Sequence, residues 1–267
     1  MTMKKIFSLA LAAAFALAIS ACDNNGMIQT ESGLQYKYNA KGNGQKVEEG
    51  SLVKAKLSLM VEDSVVWTTY NSPDSIFSFV VGYSSVIKGF EEMALLMREG
   101  DDVYVSIPDS LAYGSTGAGN VIPPNATIVY NVYEMVSVSA PKKMLMDTLG
   151  PAFQAGGAAQ LVEVFESLNE SGQTENYHMS LEFVEPFIGQ LTQARQLESV
   201  EAIVSSFEKA DWEGDRNMLS YYQIVSLEGQ GRIDDALGVC NGLIEEGVAA
   251  QWLTAKIQQL EQMKAGE

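Results

Sequence analysis

The sequence predicts an α+β fold, an antiparallel sheet wrapped on one short helix, followed by an all-α domain of helical hairpins. Between about Ser32 and Val138, apolar residues recur at every second position, which is the period of half-buried strands. A single helical stretch lies among these strands, which favours a sheet packed on one helix. From Pro141 onward the apolar spacing becomes helical. The length of 267 residues suits two modest domains.

Residues 1–21 are typical of an export signal rather than of a fold. Two lysines precede an almost wholly apolar run, which is shorter than the roughly 20 residues that span a bilayer. Ile19-Ser20-Ala21-Cys22 resembles a bacterial lipobox, in which Cys22 is acylated and becomes the mature N-terminus. This resemblance implies a cell-envelope protein that is lipid-anchored to a membrane and faces the periplasm or the exterior. A plain secretory signal with a chance cysteine is the alternative.

Composition excludes several classes of partner. Without the signal the chain has 34 acidic and 15 basic residues, a net charge of −19, which argues against nucleic acid and against electrostatic docking on anionic lipid. The single histidine, His178, has no cysteine or second histidine nearby, so we predict no metal site and expect it on a helix surface. Cys240 has no partner if Cys22 is acylated, and we expect a buried inert thiol beside Leu237 and Ile244.

A polar tether, residues 22–31, leads into the first domain, which we place at residues 32–140. Alternation predicts that its strands face inward through Val53, Ala55, Leu57, Leu59 and Val61; through Val103, Val105 and Ile107; and through Ile128, Tyr130 and Val132. The helix is predicted from apolar residues at i, i+3, i+4 and i+7, namely Phe90, Met93, Ala94 and Met97.

The helical domain is predicted over residues 141–267, where short loops favour antiparallel hairpins. Its apolar stripes are Leu161, Val164, Phe165 and Leu168; Val200, Ile203, Val204 and Phe207; and Ile233, Leu237, Cys240 and Ile244. Ala202 and Ala236, each after an acidic residue, are 34 residues apart, which is the tetratricopeptide period. Ile224, however, stands where such a repeat usually has a small residue. The pattern leaves open a tetratricopeptide-like pair and a generic helical hairpin array, and either would offer these helices as a surface for a protein partner.

Four colinear motifs in the first domain indicate a function. In chain order they are Ser32-Gly33-Leu34-Gln35-Tyr36, Val86-Ile87-Lys88-Gly89-Phe90-Glu91-Glu92, Leu111-Ala112-Tyr113-Gly114 and Ile122-Pro123-Pro124-Asn125-Ala126-Thr127. Together they resemble the FKBP family of peptidyl-prolyl cis-trans isomerases. The resemblance implies an isomerase that assists the folding of exported proteins, acts on proline-containing clients and needs no cofactor.

The same resemblance implies a set of site residues. The catalytic residues would be Tyr113, Ile87, Phe90 and Trp67, and the substrate-binding residues would be Leu57, Thr68, Phe77, Val86, Ile122 and Tyr130. Phe90 would form the floor under the proline ring. The backbone N–H of Ile87 and the hydroxyl of Tyr113 would hold substrate carbonyls.

Three positions depart from the family pattern. The family usually has tyrosine where this chain has Leu57, aspartate where it has Thr68 and tryptophan where it has Phe90. Leu57 and Thr68 therefore favour a second hypothesis, a catalytically weak or inactive module that binds prolyl peptides as a chaperone, with a helical protein-interaction domain. The motif residues Tyr113, Ile87 and Ile122–Pro124 favour an active isomerase.

Overall fold

The computed structural model describes residues 26–71, 75–83, 86–248 and 251–266. It divides into two compact units, with the boundary between Pro141 and Lys142. The predicted export signal and lipobox, with Cys22, lie outside the described residues. Within the described ranges, no helix combines the length and apolar character needed to cross a membrane.

The described part of the first unit is the predicted antiparallel sheet with one α-helix. In chain order its elements are β1 (Ile28–Gln29), β2 (Gln35–Ala40), β3 (Leu52–Val61), β4 (Ser64–Thr68), β5 (Phe77–Val80), α1 (Lys88–Leu96), β6 (Asp102–Ile107) and β7 (Ile128–Val138). The strands are ordered β1-β2-β6-β7-β3-β4. Strand β5 pairs with the first residues of β3, and β4 pairs with its last residues.

The residues of β3 and β6 that were predicted to face inward lie in the core, as their alternation along the strands requires. All eight of them are at most 7% exposed, and the four apolar residues predicted for the helix face are at most 1% exposed. Gly89 lets α1 lie close to β6, because a Cβ there would be 2.3 Å from Cγ2 of Ile107. The close approach holds the first turn of α1 against the sheet.

The predicted inward position of Val132 is wrong because β7 contains a bulge. Val103 pairs with Tyr133 while Val105 pairs with Tyr130, so β7 has one residue more than β6 over this stretch. An extra residue reverses the alternation of side chains. The next buried residues beyond the bulge are therefore Tyr133 and Met135, each 0% exposed.

The second unit is helical, as predicted. Its elements are β8 (Lys143–Met144), α2 (Met146–Glu170), β9 (Tyr177–His178), α3 (Leu181–Gln193), α4 (Leu197–Phe207), α5 (Asn217–Gly229), α6 (Ile233–Glu245) and α7 (Gln251–Ala265). The two short strands form a parallel pair. Helix α2 is kinked at Gly156 and Gly157, whose backbone angles are not helical.

Three residues of the second unit, Cys240, Ile244 and His178, can be compared with the positions that the sequence predicted for them. Cys240 is a buried free thiol, as expected, and burial raises its pKa. Ile244 is 51% exposed, because the buried face of α6 runs through Cys240 to Leu243, and the next residue turns away from the core. His178 lies in β9 and is 6% exposed, so its expected position on a helix surface is wrong.

The turns that end α3 and α5 have the same geometry. At the end of α3 the N–H of Gln196 donates to the carbonyl of Leu191, and at the end of α5 the N–H of Arg232 donates to the carbonyl of Leu227, both at 2.9 Å. These turns are 36 residues apart. By contrast, Ala236 is buried whereas Ala202 is exposed, so their 34-residue spacing does not mark equivalent positions. The tetratricopeptide-like assignment stays a prediction.

Candidate functional site

The first unit has a cavity of about 780 Å³. Its lining consists of Leu57, Leu59, Trp67, Phe77, Val86, Ile87, Lys88, Phe90, Asp109, Ser110, Ala112, Tyr113, Gly114 and Tyr130. The structure thus brings eight of the ten predicted site residues to one cavity, and the other two, Thr68 and Ile122, lie outside the lining.

Aromatic rings form the inner end of this cavity around Phe90, which is 1% exposed. Its ring centroid lies 5.9 Å from that of Phe77 and 5.3 Å from that of Tyr130. On another side it stacks on Tyr133, at 4.5 Å and an interplanar angle of 8°. Trp67 meets Phe77 edge to face at 6.1 Å. Edge-to-face and stacked contacts fix ring orientation, so the apolar surface of the cavity is preorganised.

The approach to α1 supplies a backbone donor. Ile87, the residue before the helix, has an extended backbone, and its carbonyl accepts from the N–H groups of Phe90 and Glu91 at 3.0 and 3.3 Å. Its own N–H has no acceptor among the described residues. An N–H at a helix start that has no intrahelical partner is free to bind a carbonyl oxygen of a ligand.

The loop between β6 and β7 positions Tyr113, which is 37% exposed at the cavity. The N–H of Asn125 donates to the carbonyl of Gly114 at 2.8 Å, which ties the two ends of the loop together. Gly117 has a φ of 68°, and a Cβ there would be 2.3 Å from the carbonyl oxygen of Ile122, so only glycine fits. Ile122 itself is 7% exposed and packs in the core, where it supports the loop.

Tyr130 contributes a buried phenol to the lining. Burial raises its pKa well above the ordinary value of 10.0, and Tyr113 raises it further. A phenol that stays protonated keeps its O–H as a donor. Lys88 and Asp109 are the charged residues of the lining, and the cavity surface around Phe90 is apolar.

The hydroxyls of Thr68 and Thr69 hydrogen-bond to the backbone of β3 and therefore do not contribute to the cavity. The hydroxyl of Thr68 donates to the carbonyl of Leu57 at 2.9 Å. The hydroxyl of Thr69 accepts from the N–H of Leu57 at 3.1 Å. The side chain of Leu57 lines the cavity, so this wall is more apolar than one with a tyrosine and an aspartate would be.

Six lining residues were missed by the sequence analysis, and four of them carry a signal that could have found them. Leu59 has the same strand parity as Leu57. Three more fall inside the motifs already quoted: Lys88, Ala112 and Gly114. Asp109 and Ser110 carry no comparable signal, because only the path of the loop brings them to the cavity.

Comparison with known proteins points to one family. Residues 43–133 match the model of a family described as FKBP-type peptidyl-prolyl cis-trans isomerase. A probable FKBP-type peptidyl-prolyl cis-trans isomerase FkpA of Neisseria meningitidis is 34% identical over 118 residues, which is 44% of this chain and 42% of the relative. FK506-binding protein 1 of Dictyostelium discoideum is 34% identical over 92 residues, which is 34% of this chain and 86% of the relative.

Solved structures give matches over the same share of the chain. FkpA from Escherichia coli is 26% identical, with a TM-score of 0.39, over 43% of this chain and 52% of that one. AtFKBP13 is 27% identical, with a TM-score of 0.40, over 44% of this chain and 100% of that one. The chain spans less than half the length of the meningococcal relative, and the second unit lies outside the matched family region.

Proposed function

Because this chain belongs to the FKBP-type peptidyl-prolyl cis-trans isomerase family, we propose that its first unit binds prolines of exported client proteins and catalyses isomerisation of the preceding peptide bond. The observation that carries the proposal is the preorganised aromatic cavity around Phe90, with polar donors beside it. Uncatalysed isomerisation takes tens to hundreds of seconds, so proteins that fold after export would benefit.

An apolar cavity is suited to this reaction because no bond is broken. The barrier of about 18–20 kcal/mol comes from resonance in the C–N bond. The planar amide is more dipolar than the twisted one, so removing it from water destabilises the ground state relative to the transition state. Each 1.36 kcal/mol removed from the barrier is worth about tenfold in rate. The reaction requires no nucleophile, metal or cofactor.

In this proposal Phe90 is the floor on which the proline ring rests, between Phe77 and Tyr130. The N–H of Ile87 and the hydroxyl of Tyr113 hold carbonyls of the client on either side of the bond that rotates. Trp67 and Val86 complete the apolar walls. These contacts fix the chain that flanks the proline while the bond turns.

The second candidate is a prolyl-binding module with little or no catalysis. It is supported by the wall at Leu57, where the hydroxyl of Thr68 donates to the backbone instead of entering the cavity. Neither position contributes a hydroxyl or a carboxylate to the cavity. The cavity would therefore hold a proline by apolar contact, and it would hold the twisted amide less firmly than a cavity with a tyrosine and an aspartate at these positions. Such a module would retain clients as a chaperone does.

The test is Tyr113→Phe, measured as kcat/KM on a proline tetrapeptide in a protease-coupled assay. Loss of one hydrogen bond to a client carbonyl costs about 0.5–1.5 kcal/mol, a rate loss of roughly two- to tenfold. The matched control is Tyr70→Phe, since Tyr70 is exposed and lies outside the lining.

The outcomes separate the two candidates. A wild-type chain that binds a labelled proline peptide, but not its alanine counterpart, and shows no catalysis is a binding module. An equal rate in Tyr113→Phe and wild type would remove Tyr113 from the mechanism. No preference for proline over alanine in either assay would overturn both candidates.

We also propose that Cys22 carries lipid and anchors the protein to a membrane of the cell envelope, facing the periplasm or the exterior. The support is the lipobox pattern together with the mature net charge of −19, which prevents electrostatic binding to anionic lipid. Cys22→Ser should release the protein from the membrane fraction. If the variant still sediments with membranes after a salt wash, another anchor holds it.

A further inference from the structure

The second unit has its own cavity, of about 570 Å³, between α5 and α6. Leu219, Val239 and Leu243 contribute apolar surface to it. Two carboxylates, those of Glu208 and Glu246, also belong to its lining. An apolar surface between two acidic groups suits a side chain that combines an aliphatic stem with a cationic end.

Both carboxylates lie at helix ends that are themselves negative. Glu208 is the C-terminal capping residue of α4, and Glu246 is that of α6. The C-terminal end of a helix carries a partial charge of about −0.5, which favours cations and disfavours acids. Neither helix has a basic residue in its last turn. Two negative helix ends and two carboxylates therefore meet at one cavity.

The described residues of the unit match this negative charge only in part. Lys209, Arg232 and Lys256 form ion pairs with other acids, at 2.6 to 2.8 Å. Arg216, also in the lining, donates to the backbone carbonyl of Glu208 at 2.9 Å and so offsets part of the negative charge at this end of α4. Residues 142–267 contain 20 acidic and 8 basic residues, so the surroundings add to the negative potential.

The pKa of Glu208 reflects this environment. Burial raises it, Arg216 lowers it, and the nearby Glu246 raises it again, so that the net shift is upward. A carboxyl that is partly desolvated beside a second carboxylate is stabilised when a cation enters between them. The geometry and the charge therefore favour the same kind of ligand group.

This cavity shares one lining residue with a second cavity, which is partly aromatic. Asn217 lines both, and the second is a smaller cavity of about 310 Å³, where Tyr221 and Trp252 stand edge to face at 5.7 Å. Tyr221 is 42% exposed, and Met218 lies beside the two rings. Aromatic rings bind apolar side chains and the cationic ends of lysine and arginine. We call the two adjoining cavities the acidic groove.

We propose that the acidic groove binds a basic segment of another polypeptide, with a lysine or arginine between Glu208 and Glu246 and a neighbouring apolar residue on Tyr221 and Trp252. The site is separate from the prolyl cavity and does not require isomerase activity. It gives the helical unit a partner of defined chemistry, since acidic peptides and nucleic acids are repelled by the same charges.

Fluorescence anisotropy of the full chain with labelled peptides tests the proposal. The probe is a proline-free peptide of lysine, leucine and serine, so that it does not depend on the prolyl cavity. We expect it to bind, and a peptide with glutamate in place of lysine to fail. Glu208→Gln with Glu246→Gln should weaken binding about tenfold, because neutral amides remove the paired charges but keep the shape.

The matched control is Glu170→Gln with Glu175→Gln, two exposed acids outside the groove that change the net charge equally. We expect less than a twofold effect from it. If both double variants weaken binding equally, the attraction is unspecific and the proposed site is wrong. The site is also wrong if the glutamate peptide binds as tightly as the lysine peptide. Glu246→Gln alone, at an exposed position, repeats the test if the double variant is unstable.

Discussion

Tyr133 shows how a bulge can bury a polar atom in a core. The extra residue in β7 turns this side chain inward, where it stacks on Phe90. Its ring is 0% exposed and its hydroxyl has no hydrogen-bond partner among the described residues. Burial raises its pKa well above the ordinary value, so the group stays a neutral phenol. The ring supports Phe90 at the cavity of the first unit, whereas the hydroxyl costs stability.

We therefore predict that Tyr133→Phe increases the free energy of unfolding by about 1 kcal/mol, because an unsatisfied buried hydroxyl costs about 1–3 kcal/mol. Chemical denaturation of the first unit measures the effect. The control is Tyr38→Phe, which removes a hydroxyl that donates to the carbonyl of Leu96 at 3.2 Å and should lose about 0.5–1.5 kcal/mol. A similar loss in both variants would mean that the hydroxyl of Tyr133 is satisfied.

The apolar wall at Leu57 gives a second residue-scale prediction. Leu57→Tyr alone buries a hydroxyl and Thr68→Asp alone places a carboxylate beside an apolar wall, so each single change should lower stability. Together the two new groups can hydrogen-bond, and the coupling energy should be about 0.5–3 kcal/mol. We expect kcat/KM to rise more in the double variant than in either single variant. Strictly additive effects on stability and rate would show that the two positions do not meet.

At the scale of residues, most of the cavity lining could be predicted from the sequence, because these residues fall in motifs whose chain order matches that of a family. Leu57 and Tyr130 were also predicted inward from strand alternation alone. Alternation could not detect the bulge in β7, since the extra residue leaves no mark on composition. It also could not show that Ile122 lies outside the cavity lining, since the core cluster to which it belongs is apolar as the lining around Phe90 is.

Helix ends are the feature that stands out at the scale of elements. The ends of α3, α5 and α6 share one turn, in which an N–H donates to the carbonyl of a leucine five residues earlier, at 2.9 Å in each. The residue before that N–H has a positive φ: Arg195 at 55°, Gly231 at 74° and Gly247 at 85°. This is the Schellman arrangement, which favours glycine at that position. Arg195 is the exception.

We predict that Arg195→Gly raises the free energy of unfolding of the second unit by about 0.5–1 kcal/mol. A side chain in the left-handed region costs about 1–2 kcal/mol, and the greater freedom of glycine in the unfolded chain offsets part of the gain. The reciprocal control is Gly231→Ala, which should lose about 1 kcal/mol. A Cβ at Gly231 has no atom within 4 Å, so that loss would come from the backbone alone.

Thermal unfolding followed by circular dichroism measures both variants. A lower melting temperature for Arg195→Gly would show that the arginine side chain contributes more than its backbone costs.

The apolar stripes predicted these helices well, but not the turns between them. Arg195 gives no signal in the sequence, because arginine is a residue that usually continues a helix.

For the whole molecule, each unit has its own hydrophobic core. Among the residues that the structure describes, one apolar cluster lies within the first unit, around Phe90, Met93 and Tyr133. Two lie within the second, around Phe165 and around Cys240. Charge is also unevenly divided, since residues 142–267 account for a net charge of −12. The change from strand to helix periodicity near Pro141 predicted two kinds of structure. The acidic groove could not be predicted in this way, because its residues come together only through the packing of α5 against α6.

Separate cores lead to a prediction for the two halves of the chain. Fragments 26–141 and 142–267 should each fold alone, because each exceeds 100 residues and encloses its own buried apolar clusters. Each should show a cooperative thermal transition, and the sum of their far-ultraviolet circular dichroism spectra should equal that of residues 26–267. The first fragment should bind the proline peptide and the second the basic peptide. If either fragment lacks a transition, its clusters depend on the other half of the chain, and the two binding activities cannot then be assigned to separate units.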